Sequence, residues 1–338
     1  MKKEFEELKN AQKEYVLMNE YELTEKVLTY IKQRIVANRN EIEKLQKVKK
    51  ERYSYERIID CVEKEIEKDA QYKNYGKMYI NNTNFLSTNL LMAIGVIAVE
   101  CYDTLEVIKY FIKAIKSRNA IAISDVEYDD TSIKFLILEI IKEALNKFGI
   151  SKNLIMILPY EECFYNYFDK VIFTYDKNGK FLKELKVQEK ITQNKKGIYI
   201  ENSELEEIAQ RDNKNIQYEL ITGEFESAIE KINAEKSKAV VMYTKNSELA
   251  YKFINLVKSE NVFINSSLEN IKETEKSENV LYEYKNILIP MPEKNLKNKE
   301  SKNLVNVAEF SKNEEMSLIK VNDGILSKIR HFLKKILG

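Results

Sequence analysis

Three groups of residues in this 338-residue chain are of types and spacings that could do chemistry. Cys101 closes the apolar run "GVIAVEC", and a thiol at a strand end can stand where a covalent nucleophile is needed. The segment "SDVEYDD" follows the run "NAIAI" and sets Asp125, Glu127, Asp129 and Asp130 close together at the start of a helical pattern. Four such carboxylates would repel a phosphate, since each like-charge pair at about 5 Å costs on the order of a kcal/mol at a surface-like dielectric. Equally, acidic side chains suit the positive end of a helix dipole. The third group is the tail "ILSKIRHFLKKILG", where Ile325, Ile329, Phe332, Leu333 and Ile336 share one helical face flanked by Lys328, Arg330, Lys334 and Lys335. Such a helix can cover its own protein or a dimer mate, lie on an anionic membrane surface, or dock on a partner such as a protein shell.

Other chemistry is excluded by what the chain lacks. The sole histidine, His331, lies in the tail, which removes a His-based triad from the body of the protein. Cys61, Cys101 and Cys163 are widely spaced with no CxxC pair, so neither a disulfide framework nor a metal centre is expected. With 55 basic against 54 acidic residues, bulk charge gives no reason to expect nucleic acid as a partner. The longest apolar run, "FLSTNLLMAIGVIAVECY", is broken by polar residues and does not read as a spanning helix. The expected location is the cytoplasm, with peripheral membrane contact only through the tail. Eight glycines are few, against the two dozen or so that an average usage of about 7% would give. Backbone positions that must approach a ligand closely will therefore mostly carry a Cβ.

The elements that position these residues follow from periodicity. Residues 1–75 are charged and helical, with Leu23, Val27, Ile31, Ile35 and Ile42 on a common stripe. Residues 76–190 alternate apolar strands with helices, which implies a parallel sheet covered on both faces. A second α/β pattern occupies 191–290, a polar linker 291–323, and the basic amphipathic helix 324–338.

Several of these fragments, taken in order, resemble a known family. "YELTEKVLTYIKQRIVANRNEIEKLQK", "AIGVIAVECYD", "IKSRNAIAIS", "IIKEALNKFGISKNLIMIL", "FDKVIFTYDKNGKFLKEL" and "ENVFINSS" are similar in order and spacing to gamma-glutamyl phosphate reductase, of the aldehyde dehydrogenase superfamily. The resemblance implies an α/β fold of aldehyde-dehydrogenase-like type: N-terminal helices, a Rossmann-like parallel-sheet domain and a shortened second α/β domain. It also implies binding of NADP or NAD, a cysteine nucleophile in the second domain, and self-association through a strand and tail extension.

Four features that the resemblance implies are missing from this sequence. No cysteine lies between "GIYIE" and "ESAIEKINA", where the nucleophile would stand. The glycines of the phosphate cradle are replaced by "SDVEYDD" after one strand and "DKNGKF" after another. An Arg-Pro-Asn loop has given way to "ECYDTLEV", and a glycine-rich closing segment to "ENVLYEYKNILIPMPE". The retained residues, Asn119, Asn265, Ser266 and Ser267, belong to the scaffold. The expectation is a non-catalytic scaffold or binding protein, homo-oligomeric and without a cofactor. The alternative is an NAD(P)-dependent oxidoreductase of the glutamate-5-semialdehyde dehydrogenase type with a relocated thiol, for which Cys101 is the candidate.

Overall fold

The computed structural model describes residues 2–18, 21–68, 76–80, 85–101, 103–125, 128–159, 167–175, 181–189, 193–271, 281–290 and 329–334. Cys163, Glu127, the expected linker 291–323, Ile325, Lys328, Lys335 and Ile336 lie outside the described residues.

Four helices open the chain: α1 (Lys2–Met18), α2 (Tyr21–Ala37), α3 (Arg39–Lys49) and α4 (Tyr55–Glu67). Strands β1 (Gly76–Ile80) and β2 (Phe85–Ala93) precede an alternation of β3 (Val96–Glu100), α5 (Thr104–Ser117), β4 (Ala120–Asp125), α6 (Ile133–Lys147), β5 (Ile155–Pro159), β6 (Lys170–Tyr175) and β7 (Phe181–Glu189). A second alternation runs β8 (Gln193–Ile200), α7 (Glu206–Asp212), β9 (Glu219–Ile221), α8 (Phe225–Glu235), β10 (Ser237–Tyr243), α9 (Ser247–Leu256), β11 (Asn261–Ile264) and β12 (Tyr282–Pro290). The chain divides into two compact units, Met1–Tyr72 with Ala93–Lys190, and Lys73–Met92 with Ile191–Gly338. Residues 76–92, read in sequence with the first α/β pattern, fall in the second unit. Antiparallel β1 and β2 join the second unit's sheet beside β12, a long-range pairing that local periodicity does not reveal.

In the first unit the sheet order is β5-β4-β3-β6-β7. The first four strands are parallel and β7 is antiparallel to β6. In order of appearance, the parallel strands thus lie 3-2-1-4 in space, the arrangement of half a doubly wound dinucleotide fold. Val96–Val99 of β3 and Ala120–Ile123 of β4 are buried apolar runs, as strands covered on both faces require. Of the stripe that the sequence pattern predicts, Val27, Ile31 and Ile35 of α2 and Ile42 of α3 are fully covered and Leu23 is half-buried, while Leu28 is buried beside them. Two side chains fix where β3 begins: Asn119 Oδ1 accepts from Gly95 N–H at 2.9 Å, and Asp169 Oδ2 accepts from Val96 N–H at 2.9 Å. The buried Lys116 ammonium donates to the Glu65 carbonyl at 2.6 Å and to that of Lys68, capping the C-terminal end of α4.

The second unit holds a seven-stranded sheet, β1-β2-β12-β11-β10-β8-β9. One apolar cluster joins the inward residues of α8 and α9 to β10, β11 and β12, and another joins Leu205 and Ala209 to Val241, Phe263 and Leu288. Gly197 of β8 lies close to Ile221: a Cβ there would meet Ile221 Cδ1 at 2.6 Å, so that side chain would have to shift. Scarcity of glycine shows at the helix ends. Lys50, Arg118 and Lys236 take the left-handed conformation at the ends of α3, α5 and α8, where glycine is the usual residue.

Candidate functional site in the first unit

The C-terminal ends of β3 and β4 carry the residues that the sequence singled out. After β3, Asp103 caps α5: its Oδ1 accepts from Leu105 N–H and Glu106 N–H, both at 3.1 Å. Its Oδ2 accepts from the Tyr53 hydroxyl at 2.5 Å. Burial, with the neighbouring Asp103 carboxylate, pushes the Tyr53 phenol up to about 12, so it stays a donor at neutral pH. After β4, Asp125 is fully covered and accepts from Lys134 Nζ of α6 at 2.6 Å, with the lysine side chain 5% exposed. Both charges are sequestered together, which the low-dielectric setting requires. Asp129 lies further along and binds Lys49 Nζ at 2.9 Å, while its other oxygen accepts from Thr131 N–H at 3.0 Å. The Thr131 hydroxyl, and then Lys49, pull the Asp129 carboxyl down to about 2.

These groups, with the turn between α3 and α4, enclose a cavity of about 440 Å³. Lys50, Arg52 and Tyr53 line it from the turn, Asp103 and Thr104 from the start of α5, and Ser132 and Lys134 from the start of α6. The two helix starts differ. The N–H groups of α5 hold the Asp103 carboxylate, whereas the Ser132 side chain makes no capping bond to α6. Ser132 is 5% exposed and its Oγ has no hydrogen-bond partner.

The acidic segment has lysine partners at two of its positions. Asp125 and Asp129 are each neutralised by a lysine, Asp130 is exposed, and Glu127 lies outside the described residues. Lysines 9 and 80 positions away supply counter-charges to Asp125 and Asp129. The sequence reading missed Lys49, Lys50, Arg52, Tyr53 and Lys134. Its available signal was the basic turn "KKER" at the end of α3.

Cys101 is fully covered, with its Sγ 3.8 Å from the Asp103 carbonyl oxygen. Burial drives its thiol far above the usual range, with the Glu106 carboxylate adding to the rise. Cys61 is also buried and is pushed up to about 11 by desolvation. Thiolates are the nucleophilic form, so neither is poised for attack. Among the described residues no group of three or more candidate metal ligands occurs.

At the corresponding strand ends of the second unit the polar groups bond one another. Asn265, at φ 46°, accepts from Thr244 N–H and donates to the Thr244 carbonyl, both at 2.8 Å. The Thr244 hydroxyl donates to Glu201, and Asn246 caps α9 through Glu248 N–H at 3.0 Å. In the tail, Ile329, Phe332 and Leu333 are buried in the apolar cluster that contains Tyr251 and Phe253 of α9. Arg330 and Lys334 reach Glu248 at 2.9 and 3.0 Å, and the Arg330 guanidinium lies 5.2 Å from the Tyr251 ring centroid. These three residues are covered by the chain's own second unit.

The first βα turn bears on the nicotinamide cofactors that such a fold implies. A dinucleotide fold seats its pyrophosphate on the N-terminus of the helix after its first strand, with glycines to allow the approach. Here that helix is α5, its turn contains no glycine, and its first N–H groups already hold Asp103. The start of α5, with these N–H groups taken, does not fit a pyrophosphate.

No family model and no curated protein matches the chain. Solved structures do resemble it. Gamma-glutamyl phosphate reductase from Thermotoga maritima is similar at 12% identity, over 85% of this chain and 97% of that one, with a TM-score of 0.46. The reductase from Saccharomyces cerevisiae is similar at 14% identity, over 86% and 97%, with a TM-score of 0.47. PnpE from Pseudomonas sp. WBC-3 is similar at 12% identity, over 85% and 89%, with a TM-score of 0.46.

Proposed function

We propose that this chain is a non-catalytic protein of aldehyde-dehydrogenase-like fold that works as a scaffold or binding protein, not as an NAD(P)-dependent oxidoreductase. The observation that carries the reading is the state of Cys101, the one thiol that the sequence offered as a relocated nucleophile. It is fully covered, and burial holds it in the protonated form. Two further facts support it: no cysteine occurs between Glu201 and Glu226, and the start of α5 is filled by Asp103. Self-association belongs to the same proposal, and light scattering on the purified full chain tests it: a mass of one chain at all concentrations removes it. The tail, in this reading, completes the second unit. Among the described residues no helix is long and apolar enough to cross a membrane.

The test is native-state alkylation of Cys101 with iodoacetamide, followed by mass spectrometry. A covered, protonated thiol is labelled only as fast as the surrounding structure opens. Labelling of the folded protein at the rate of a free cysteine would remove the observation on which the proposal stands.

A further inference from the structure

The cavity at the start of α6 combines features that together select a ligand. Lys50 and Arg52 line it and have no carboxylate within ion-pair distance among the described residues. The other two cations in its wall are engaged, Lys49 with Asp129 and Lys134 with Asp125. The first turn of α6 lacks a side-chain cap, and the covered Ser132 has an unpartnered hydroxyl. Unpaired cations beside free helix N–H groups suit a dianion. The lining also holds Asp103 and Glu51, with Tyr53 and Thr104 donating to them at 2.5 and 3.4 Å. Carboxylates and hydroxyls of this kind exchange hydrogen bonds with the hydroxyl groups of a ligand. Among the described residues that line it, Tyr53 is the only aromatic and none is aliphatic, so this lining favours a polar ligand. At about 440 Å³ the cavity is of the size that holds a small metabolite.

We propose that this cavity binds a small phosphorylated polyol or sugar phosphate, with the phosphate monoester at Lys50, Arg52 and the start of α6 and the hydroxyl groups toward Asp103 and Glu51. The inference deepens the binding-protein reading and rests on it. The two fail separately, since binding is measured here without any aldehyde or redox cofactor present.

Isothermal titration of the full chain uses ribose 5-phosphate as probe, with ribose and inorganic phosphate as the two halves of its chemistry. The wild type binds ribose 5-phosphate at submillimolar concentration, ribose not measurably, and inorganic phosphate about tenfold or more weakly. Arg52→Ala and Lys50→Ala, both at exposed side chains, each weaken ribose 5-phosphate by about tenfold with the melting temperature retained. No heat at millimolar ribose 5-phosphate overturns the site. Binding that neither substitution weakens places the ligand elsewhere and overturns it as well. Equal affinity for inorganic phosphate and ribose 5-phosphate contradicts the hydroxyl-reading wall.

Discussion

Leu333→Ala is the sharpest perturbation of the tail. Leu333 and Ile329 are fully covered and Phe332 is 8% exposed, all within the apolar cluster of the second unit. Truncating a buried leucine removes its transfer free energy and leaves a cavity, together about 2–5 kcal/mol. Each kcal/mol lowers the melting temperature of a unit of this size by roughly 2–4 °C, so a loss on the order of 5–15 °C is expected. The control is Lys334→Ala, which removes only a solvent-exposed ion pair to Glu248 and should change stability by less than about 1 kcal/mol. Calorimetry of the full chain reads both variants, and co-sedimentation with anionic liposomes is run on the same samples. The reasoning is refuted if Leu333→Ala melts within a degree or two of the wild type. It is refuted more strongly if that variant also loses liposome binding, because the apolar face would then be serving a membrane and not the second unit.

Two further expectations concern buried charge. Lys134→Met removes the ammonium that pairs with Asp125 in a covered site and should cost about 3–5 kcal/mol in urea unfolding, whereas Asp125→Leu with Lys134→Met should recover most of it; equal losses in the single and double variants would contradict the pairing. Lys285 is fully buried, and its ammonium donates to the Ile254 and Val257 carbonyls at 2.7 and 2.6 Å, capping α9. Desolvation lowers its pKa from 10.5 to about 7, while Glu283 opposes and Lys258 assists the shift. With the folded pKa depressed, the unfolded chain binds the extra proton between pH 7 and 10.5, so the penalty is complete below about 7 and gone above 10.5. The Lys285 contribution to stability should therefore rise with pH across that window, by at most roughly 1.4 kcal/mol per unit and by less where the two carbonyls hold the charged form. Comparison with Lys285→Met between pH 7 and 10 checks it; a difference that is flat or of opposite slope contradicts the assignment.

Local pattern was enough to find the parallel core. "VIAVE" and "AIAIS" are short apolar runs bounded by polar residues, and they became the adjacent strands β3 and β4. The stripe from Val27 to Ile42 needed only helical spacing. By contrast, β1 and β2 sit between the two parts of the first unit in sequence yet pair into the sheet of the second, so their membership depends on contacts that no window contains. The cavity was illegible for the same reason. Lys49 meets Asp129 across 80 positions and Tyr53 meets Asp103 across 50, and a charge count along "SDVEYDD" cannot show that its carboxylates have partners. The tail face was legible as amphipathic, but only the apolar residues of α9 and its neighbours decide what covers it.

The central claim is the absence of thiol-dependent oxidoreductase chemistry, and steady-state NAD(P)H turnover tests it most directly. The full chain is assayed with glutamate semialdehyde and a panel of simple aldehydes, in both directions and with both cofactors, beside a variant carrying Cys61→Ala, Cys101→Ala and Cys163→Ala. The account predicts no rate above the no-enzyme control and no difference between the two proteins. A rate in the wild type that the triple variant loses would contradict it.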